Sequence, residues 1–437
     1  MGQGGAAVSG ALGAGRSNRA AHACTCPDRD LARHACAAPR TDQTSGRAIT
    51  PLIHVKGYAA PETKAEAERA RVLIEQAKAL GEPPDDPLLL FSVLYSIWVA
   101  NRIAFNGDVM RDLAAQFLEI AKMQGTTAPL MIGHRVMGIS LLCTGAIADS
   151  RTHFDNALAL YVPTVDRALA TRFGTDSWAS ILLHRSWASW MLGYPDAAIA
   201  DADHAVKGAR ELGHAADVMY ALFHASVAHT FLGDYTAASA LTGELIGLAD
   251  QKGTLFWKAI GMALSQGCLL VLSGKPSDAV HTITSGLSAY RSTGSTLIMP
   301  VSLSYLASAY ANLGKFDSAR RCVDEALSAV ESTKERWWEA EINRIAGEIV
   351  LIEPSAKVVK AEAEAEAYFQ RALVIARQQQ ARSWELRAAM STARLWRDQG
   401  KRDEARDLLA PVYGWFTEGF DTLDLKEAKT LLDELRA

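Results

Sequence analysis

Glu341, Arg344 and Glu348 fall at steps of three and four, so a helix brings them to one face. Arg387, Arg394 and Arg397 share a face in the same way further along the chain. A guanidinium fork binds a carboxylate through two parallel hydrogen bonds, so such clusters suit a peptide terminus or an acidic motif. The alternative is mutual pairing of Glu341 and Glu348 with neighbouring arginines on a solvated face. His184 and His224 each stand nine residues before a glycine that ends a helix-like stretch. They mark either a shared binding surface or a permissive helix position. His22, Cys24, Cys26, His34 and Cys36 gather near the N-terminus. Cys24-x-Cys26 is tighter than the usual spacing of zinc-ligand pairs, so chance clustering is the better reading and no metal is expected.

Other chemistries find no residues to carry them. The Gly-Lys pairs at Gly274, Gly314 and Gly400 are followed by Pro, Phe and Arg, which gives no phosphate-cradling loop. No H-E-x-x-H occurs, and no G-x-S-x-G follows a strand-like run. No catalytic residue and no cofactor is therefore expected.

The elements that position these residues are helical hairpins. Around Tyr305–Glu325, Leu303, Leu306, Ala307 and Tyr310 share one helical side, Gly314 breaks the helix, and Ala319, Val323 and Ala326 line the next. Helices joined by so short a turn pack antiparallel. The same frame recurs around Gly107, Gly145, Gly193, Gly233, Gly274, Gly314, Pro354 and Gly400, at spacings of 38, 48, 40, 41, 40, 40 and 46. Seven residues before each turn stands a small residue: Ala100, Gly138, Ser186, Ser226, Gly267, Ala307, Gly347 and Ala393. Close helix contact requires this. Five residues after the turn, Ala198, Ala238, Ala279, Ala319 and Ala405 repeat the requirement, whereas Asp112 and Ser150 fit it poorly. The pattern resembles the tetratricopeptide repeat, with a period near forty that lengthens each helix by almost one turn. It predicts an all-α, right-handed superhelical solenoid of about eight hairpins, each touching only its neighbours.

The chain has 437 residues, 49% of them hydrophobic, and a net charge of −4. Near-neutral charge gives no support for nucleic acid as a partner. The apolar run Leu88–Ala100 is too short to span a bilayer and reads as a buried helix, so no membrane partner is expected. Cys143, Cys268 and Cys322, alone inside helices, read as reduced thiols of a cytoplasmic protein. Residues 1–55 lack helical period and large apolar residues and read as a disordered tail; 56–437 form the solenoid. Pro61–Leu80 is amphipathic, with Leu73, Ile74 and Leu80 on a face that no upstream helix covers, so self-association through helix 61–80 is expected. Residues 421–435 form a polar-backed capping helix. Trp337, Trp338 and Trp384 open the first helices of their hairpins and read as packing between repeats.

From Lys56 onward the chain resembles the C-terminal repeat region of a bacterial multidomain family. That family joins a class III nucleotide cyclase domain, a signal-transduction ATPase domain and a tetratricopeptide array. The likeness is carried by G-Y-A-A-P-E-T-K (57–64), E-R-W-W-E-A-E (335–341), S-W-E-L-R-A-A-M-S-T-A-R-L-W (383–396) and L-L-A-P-V-Y-G-W-F-T-E-G-F-D-T-L-D-L-K-E-A-K (408–429). It covers about seven-eighths of the chain. It implies that Glu341, Arg344, Glu348, Arg387, Arg394 and Arg397 line a concave groove. It implies a non-catalytic module that binds a protein or peptide there, or else a sensor that encloses a small effector. The family's cyclase and ATPase portions would lie upstream, so none of its catalytic residues carries over. Residues 1–55 then stand outside the family pattern, either as a native N-terminus or as the mark of a break from a longer architecture.

Overall fold

A computed structural model describes residues 86–354 and 358–436, together with Ala65, Arg69, Arg71 and Val72 in helical conformation. The tail 1–55, with its His and Cys cluster, and Leu73, Ile74 and Leu80 lie outside the described residues. Among the described residues there is no strand. Helices pair into hairpins: α1 (Leu89–Ile103) with α2 (Gly107–Gln124), α3 (Thr127–Cys143) with α4 (Ile147–Leu160), and α5 (Ser177–Met191) with α6 (Pro195–Leu212). Next come α7 (Ala215–Leu232) with α8 (Tyr235–Lys252), and α9 (255–272) with α10 (Pro276–Ser292). Then α11 (Met299–Asn312) pairs with α12 (Phe316–Thr333), α13 (Glu339–Ile352) with α14 (Val358–Gln378), and α15 (Arg382–Asp398) with α16 (Arg402–Tyr413). The capping helix α17 (Leu423–Arg436) follows, burying Leu425, Ala428, Leu431, Leu432 and Leu435 as its pattern predicts.

Inside each hairpin the small residues do what their spacing requires. A Cβ on Gly138 would stand 2.6 Å from the Phe154 ring, and one on Gly347 2.5 Å from Phe369. Ala307 is fully buried, as are Ala198, Ala238, Ala279, Ala319 and Ala405. Gly314 and Gly400 sit in the left-handed region that a tight helix exit requires.

The first hairpin corrects the sequence register. Its turn is centred on Phe105, at φ 30°, and Gly107 already belongs to α2. Phe105 N–H donates to Arg102 and Asn106 N–H to Asn101, the same pattern that Gly145 and Ala146 make with Leu142 and Leu141. The spacing to Gly145 is then forty, Met110 takes the buried position after the turn, and Trp98 takes the position expected to be small. The indole of Trp98 reaches past that contact to Ser140 Oγ at 2.9 Å. The long spacing after Gly145 is filled by helical turns at Pro163–Asp166, Arg167–Leu169 and Ala170–Phe173, the last of which buries Phe173 against Tyr95.

Helix α9 is long and apolar enough to cross a membrane, yet it packs between α8 and α10. Its centre, Gly261–Gln266, is a π-turn. Such a turn absorbs one inserted residue, which matches the 41-residue spacing on this hairpin against 40 on either side.

The expectation that each hairpin touches only its neighbours does not hold. Ile103 O, at the end of α1, accepts hydrogen bonds from Thr296 and Leu297 N–H at 2.9 and 3.1 Å. Cys143 O accepts from Arg336 N–H at 3.0 Å, and Trp190 O from Ser383 Oγ at 2.5 Å. The steps 103 to 296, 143 to 336 and 190 to 383 are each 193 residues, about five hairpins. The Ile103 and Cys143 carbonyls at their helix C-termini are thus satisfied by a helix start one superhelical turn later, whereas Trp190 O also accepts from Gly193 N–H. Glu418 adds a further tie, accepting from the N–H groups of Asp196 and Ala197 at the start of α6.

Candidate functional site

The tight pitch decides what the concave face looks like. The tryptophans pack between adjacent repeats as expected, Trp338 Nε1 donating to Ser304 Oγ and Trp384 Nε1 to Trp337 O, and they also meet residues of the preceding superhelical turn. Trp337 stacks on Trp187 at 5.4 Å, Trp384 meets Trp190 at 4.6 Å edge-on, and Trp338 lies 4.7 Å from Trp384 and 5.8 Å from Phe231. Trp337, Trp338 and Trp384 are fully buried. The axis is plugged by indoles, so no open groove runs through this middle section.

Beyond the plug, toward the C-terminal end, the axis opens into a cavity of about 480 Å³. Its apolar wall includes Val271, Leu272, Tyr305, Ile345, Ile349 and Ile352. Glu341, Arg344 and Glu348 project into it from α13, Arg387 and Arg394 from α15, and Asp424 and Glu427 from α17. Helical spacing brings the first three together as expected. Arg344 donates to both oxygens of Glu341 at 2.6 and 2.7 Å, and also bonds Glu348. Burial works against the Arg344 charge, but Glu341 and Glu348 outweigh it and raise its pKa. Arg387 donates to Asp424 at 2.8 Å and to Phe231 O at 3.0 Å, and its guanidinium lies 5.0 Å from the Trp190 ring. Burial pushes the Asp424 carboxyl up, and Arg387 opposes that shift. Arg394 pairs with Glu427 at 2.7 Å. Arg397 stays outside the cavity, paired with Glu434 and Asp398.

The forks expected to receive a carboxylate ligand are therefore held by the chain's own carboxylates. Asp424 and Glu427 were not singled out from sequence. They reach the cavity only because α17 packs back on α15 and α16, and no local spacing announces that.

His184 and His224 come together elsewhere, on the N-terminal side of the plug, with rings 4.8 Å apart. His184 Nδ1 bonds Ser180 O at 2.8 Å, which leaves Nε2 to accept from Arg102 Nη2 at 3.1 Å. His224 Nδ1 bonds Tyr220 O at 2.8 Å. Burial first, then Arg102, pushes the His224 pKa down to about 3. Burial, His224 and Arg102 likewise hold His184 well below the usual histidine range. Both rings are neutral at physiological pH. Among the described residues, no three His, Cys, Asp or Glu side chains are grouped to hold a metal ion.

The fold is that of a tetratricopeptide-like helical solenoid. Residues 301–333, the α11–α12 hairpin, match the tetratricopeptide repeat family. No match is found among curated protein sequences. Among solved structures the chain is similar to a Rap protein complexed with Competence and Sporulation Factor, at 12% identity over 91% of this chain and 100% of that one, with a TM-score of 0.54. It is also similar to the apo form of the quorum sensor NprR from B. thuringiensis, at 12% identity over 88% and 99% of the two chains, with a TM-score of 0.46. A Signal Transduction ATPase with Numerous Domains protein from Pyrococcus horikoshii, which carries a tetratricopeptide repeat sensor, aligns at 13% identity over 87% and 55%, with a TM-score of 0.38. At such identities the likeness is one of fold, and the Rap protein carries it.

Proposed function

We propose that the chain is a non-catalytic interaction module that seats a protein or peptide segment in the C-terminal cavity, as part of a cyclase- or ATPase-linked signalling system. The observation that supports it is the combination of an apolar wall with a charged rim still partly open to solvent. Ile352 is 52% exposed there, and the Glu348, Arg394 and Glu427 side chains are 43%, 39% and 44% exposed. A binding surface of this kind takes an apolar anchor at its centre and sets register through its polar edge. The lining counts four carboxylates (Glu341, Glu348, Asp424, Glu427) against three arginines (Arg344, Arg387, Arg394), a net charge of −1. With the arginine forks occupied, the favoured segment carries an apolar side chain beside a basic one, not an acidic motif. The signalling link rests on the sequence runs at 335–341, 383–396 and 408–429.

A peptide-display selection on the full chain tests this reading. Selected peptides should combine apolar and basic residues and lose binding to the double variant Ile352→Glu, Glu348→Lys. Selection of the same peptides by parent and variant would refute it. The second reading, a small-ligand sensor, is favoured by the cavity volume, which falls within the range of small-molecule sites. Purified chain should not turn over ATP or GTP above a heat-killed control.

A further inference from the structure

The contacts between superhelical turns form a ladder that stops partway along the molecule. Its first three rungs are Ile103, Cys143 and Trp190, whose carbonyls meet the helix starts at Thr296, Arg336 and Ser383. The fourth is Phe231, whose carbonyl accepts from Arg387 Nη2 at 3.0 Å. Leu423, at the start of α17, lies against the turn that follows Phe231. The turn glycines record the same coverage. A Cβ on Gly145 would stand 2.8 Å from Gln379, one on Gly193 2.4 Å from Trp415, and one on Gly233 2.4 Å from Leu423. On Gly274 or Gly314 it would meet open space.

The fifth and sixth rungs, at the C-terminal ends of α9 and α11, are therefore uncovered. Leu272 stands two residues before Gly274, as Cys143 does before Gly145 and Phe231 before Gly233. Cys143 and Phe231 are 6% and 3% exposed, whereas Leu272 is 39% exposed. Asn312, its counterpart in α11, is exposed as well. Neither Leu272 O nor Asn312 O accepts an N–H from the backbone of the described residues. These ends carry the negative poles of their helix dipoles. Both open into the C-terminal cavity, whose wall they share with Leu423 and Ile352.

Each filled rung is covered by the same kind of structure, the first turn of a helix or the residues that lead into it, with a large apolar side chain. Leu297, Trp337, Trp384 and Leu425 play this part, and all four are buried. A helix start also brings unpaired N–H groups and a positive pole, the complement of a helix C-terminus. A second copy of the chain stacked end to end would present the starts of α3 and α5. These offer Thr127-Ala128 and Asp176-Ser177, with no large apolar side chain. We propose that the Leu272 rung docks the first turn of an amphipathic helix from a partner protein. A Leu or Trp of that turn enters between Leu272 and Leu423, and an N–H beside it donates to Leu272 O. This docking rests on the cavity being the chain's binding site, and it makes the bound segment a helix start instead of an extended peptide. The positive pole of that helix suits a lining whose net charge is negative.

The test uses the full chain and an N-acetylated peptide of its own residues 381–398, labelled with fluorescein at the C-terminal end. That stretch opens α15 with Trp384 and carries four arginines against Glu385 and Asp398. Fluorescence anisotropy should rise saturably with chain concentration. Trp384→Ala in the peptide should weaken binding roughly tenfold or more, the scale of one buried aromatic side chain. Ala389→Pro in the peptide breaks the helix and should weaken binding similarly. In the chain, Leu272→Glu should weaken it as much, and Val374→Glu, at an exposed position on α14 outside the cavity, should leave it unchanged. Equal binding of the Ala389→Pro peptide, unweakened binding to the Leu272→Glu chain, or no saturable binding would each overturn the helix-start proposal. None of these touches the broader peptide reading, which its own display selection decides. A parent chain that sediments as a dimer, with the Leu272→Glu chain a monomer, would assign the rung to a second copy and also overturn the proposal.

Discussion

Ala307, the small residue seven before the turn of the α11–α12 hairpin, is fully buried. Two extra branches of carbon at this point have nowhere to go. Ala307→Leu should destabilise by about 1–3 kcal/mol through overpacking, read as a lower melting temperature, with Ser308→Ala as the neutral control. Coincident melts would mean that the hairpin frame is misplaced. Glu335 is the residue with the clearest dependence on pH. Burial pushes its carboxyl up to about 7, from an ordinary value of 4.5, even though it accepts from Trp337 and from Ile298, a β-branched residue at φ 69°. Between those two values the folded state holds a proton that the unfolded state has released. Stability therefore falls as pH rises from 4.5 to 7, by up to about 3 kcal/mol. Glu335→Gln keeps an acceptor oxygen and removes the titration, so its melting temperature should stay flatter across that window than the parent's.

At the scale of the element, the π-turn in α9 shows how a solenoid tolerates an inserted residue. The widened turn brings α10 so close that a Cβ on Gly286 would stand 2.6 Å from the Ala263 nitrogen and 2.9 Å from its Cα. Both are backbone atoms and cannot rotate away. Gly286→Val should disrupt the α9–α10 hairpin and lower the melting temperature sharply. Gly247, on α8, has open space at its Cβ position. There the Gly→Ala change should raise stability by up to about 1 kcal/mol through helix propensity. Equal melting temperatures for the two variants would show that the α9–α10 contact is not as close as described.

At the scale of the whole molecule, contacts between superhelical turns set the cooperativity. A solenoid with only nearest-neighbour interfaces unravels from its ends. Here Trp384, Ser383 and Glu418 pin the eighth hairpin and the segment after it onto the third. Trp384→Ala should speed amide exchange in α5 and α7 as well as in α15, because the plug is shared by all three. Faster exchange confined to α13–α17 would mean that the turns of the superhelix do not support one another.

The all-helical class, seven of the eight hairpin registers and the capping helix were legible in the sequence, because small residues at −7 and +5 and a glycine at the turn are local requirements. The first register was not, since Phe105 supplies the turn geometry that glycine supplies in most of the other hairpins, and Gly107 stood nearby as a decoy. The partnering of Glu341 and Glu348 with Arg344 was written in their three- and four-residue spacing. Their enclosure by Asp424 and Glu427, the tryptophan plug and the meeting of Arg102 with His184 were not. Each joins residues from separate hairpins, and the plug and the Asp424 contact depend on the pitch of the superhelix. Pitch accumulates from small rotations at every helix interface, so no single stretch of sequence encodes it. Repeat spacing determined what each hairpin is; only the closed superhelix decided which faces remain free to bind.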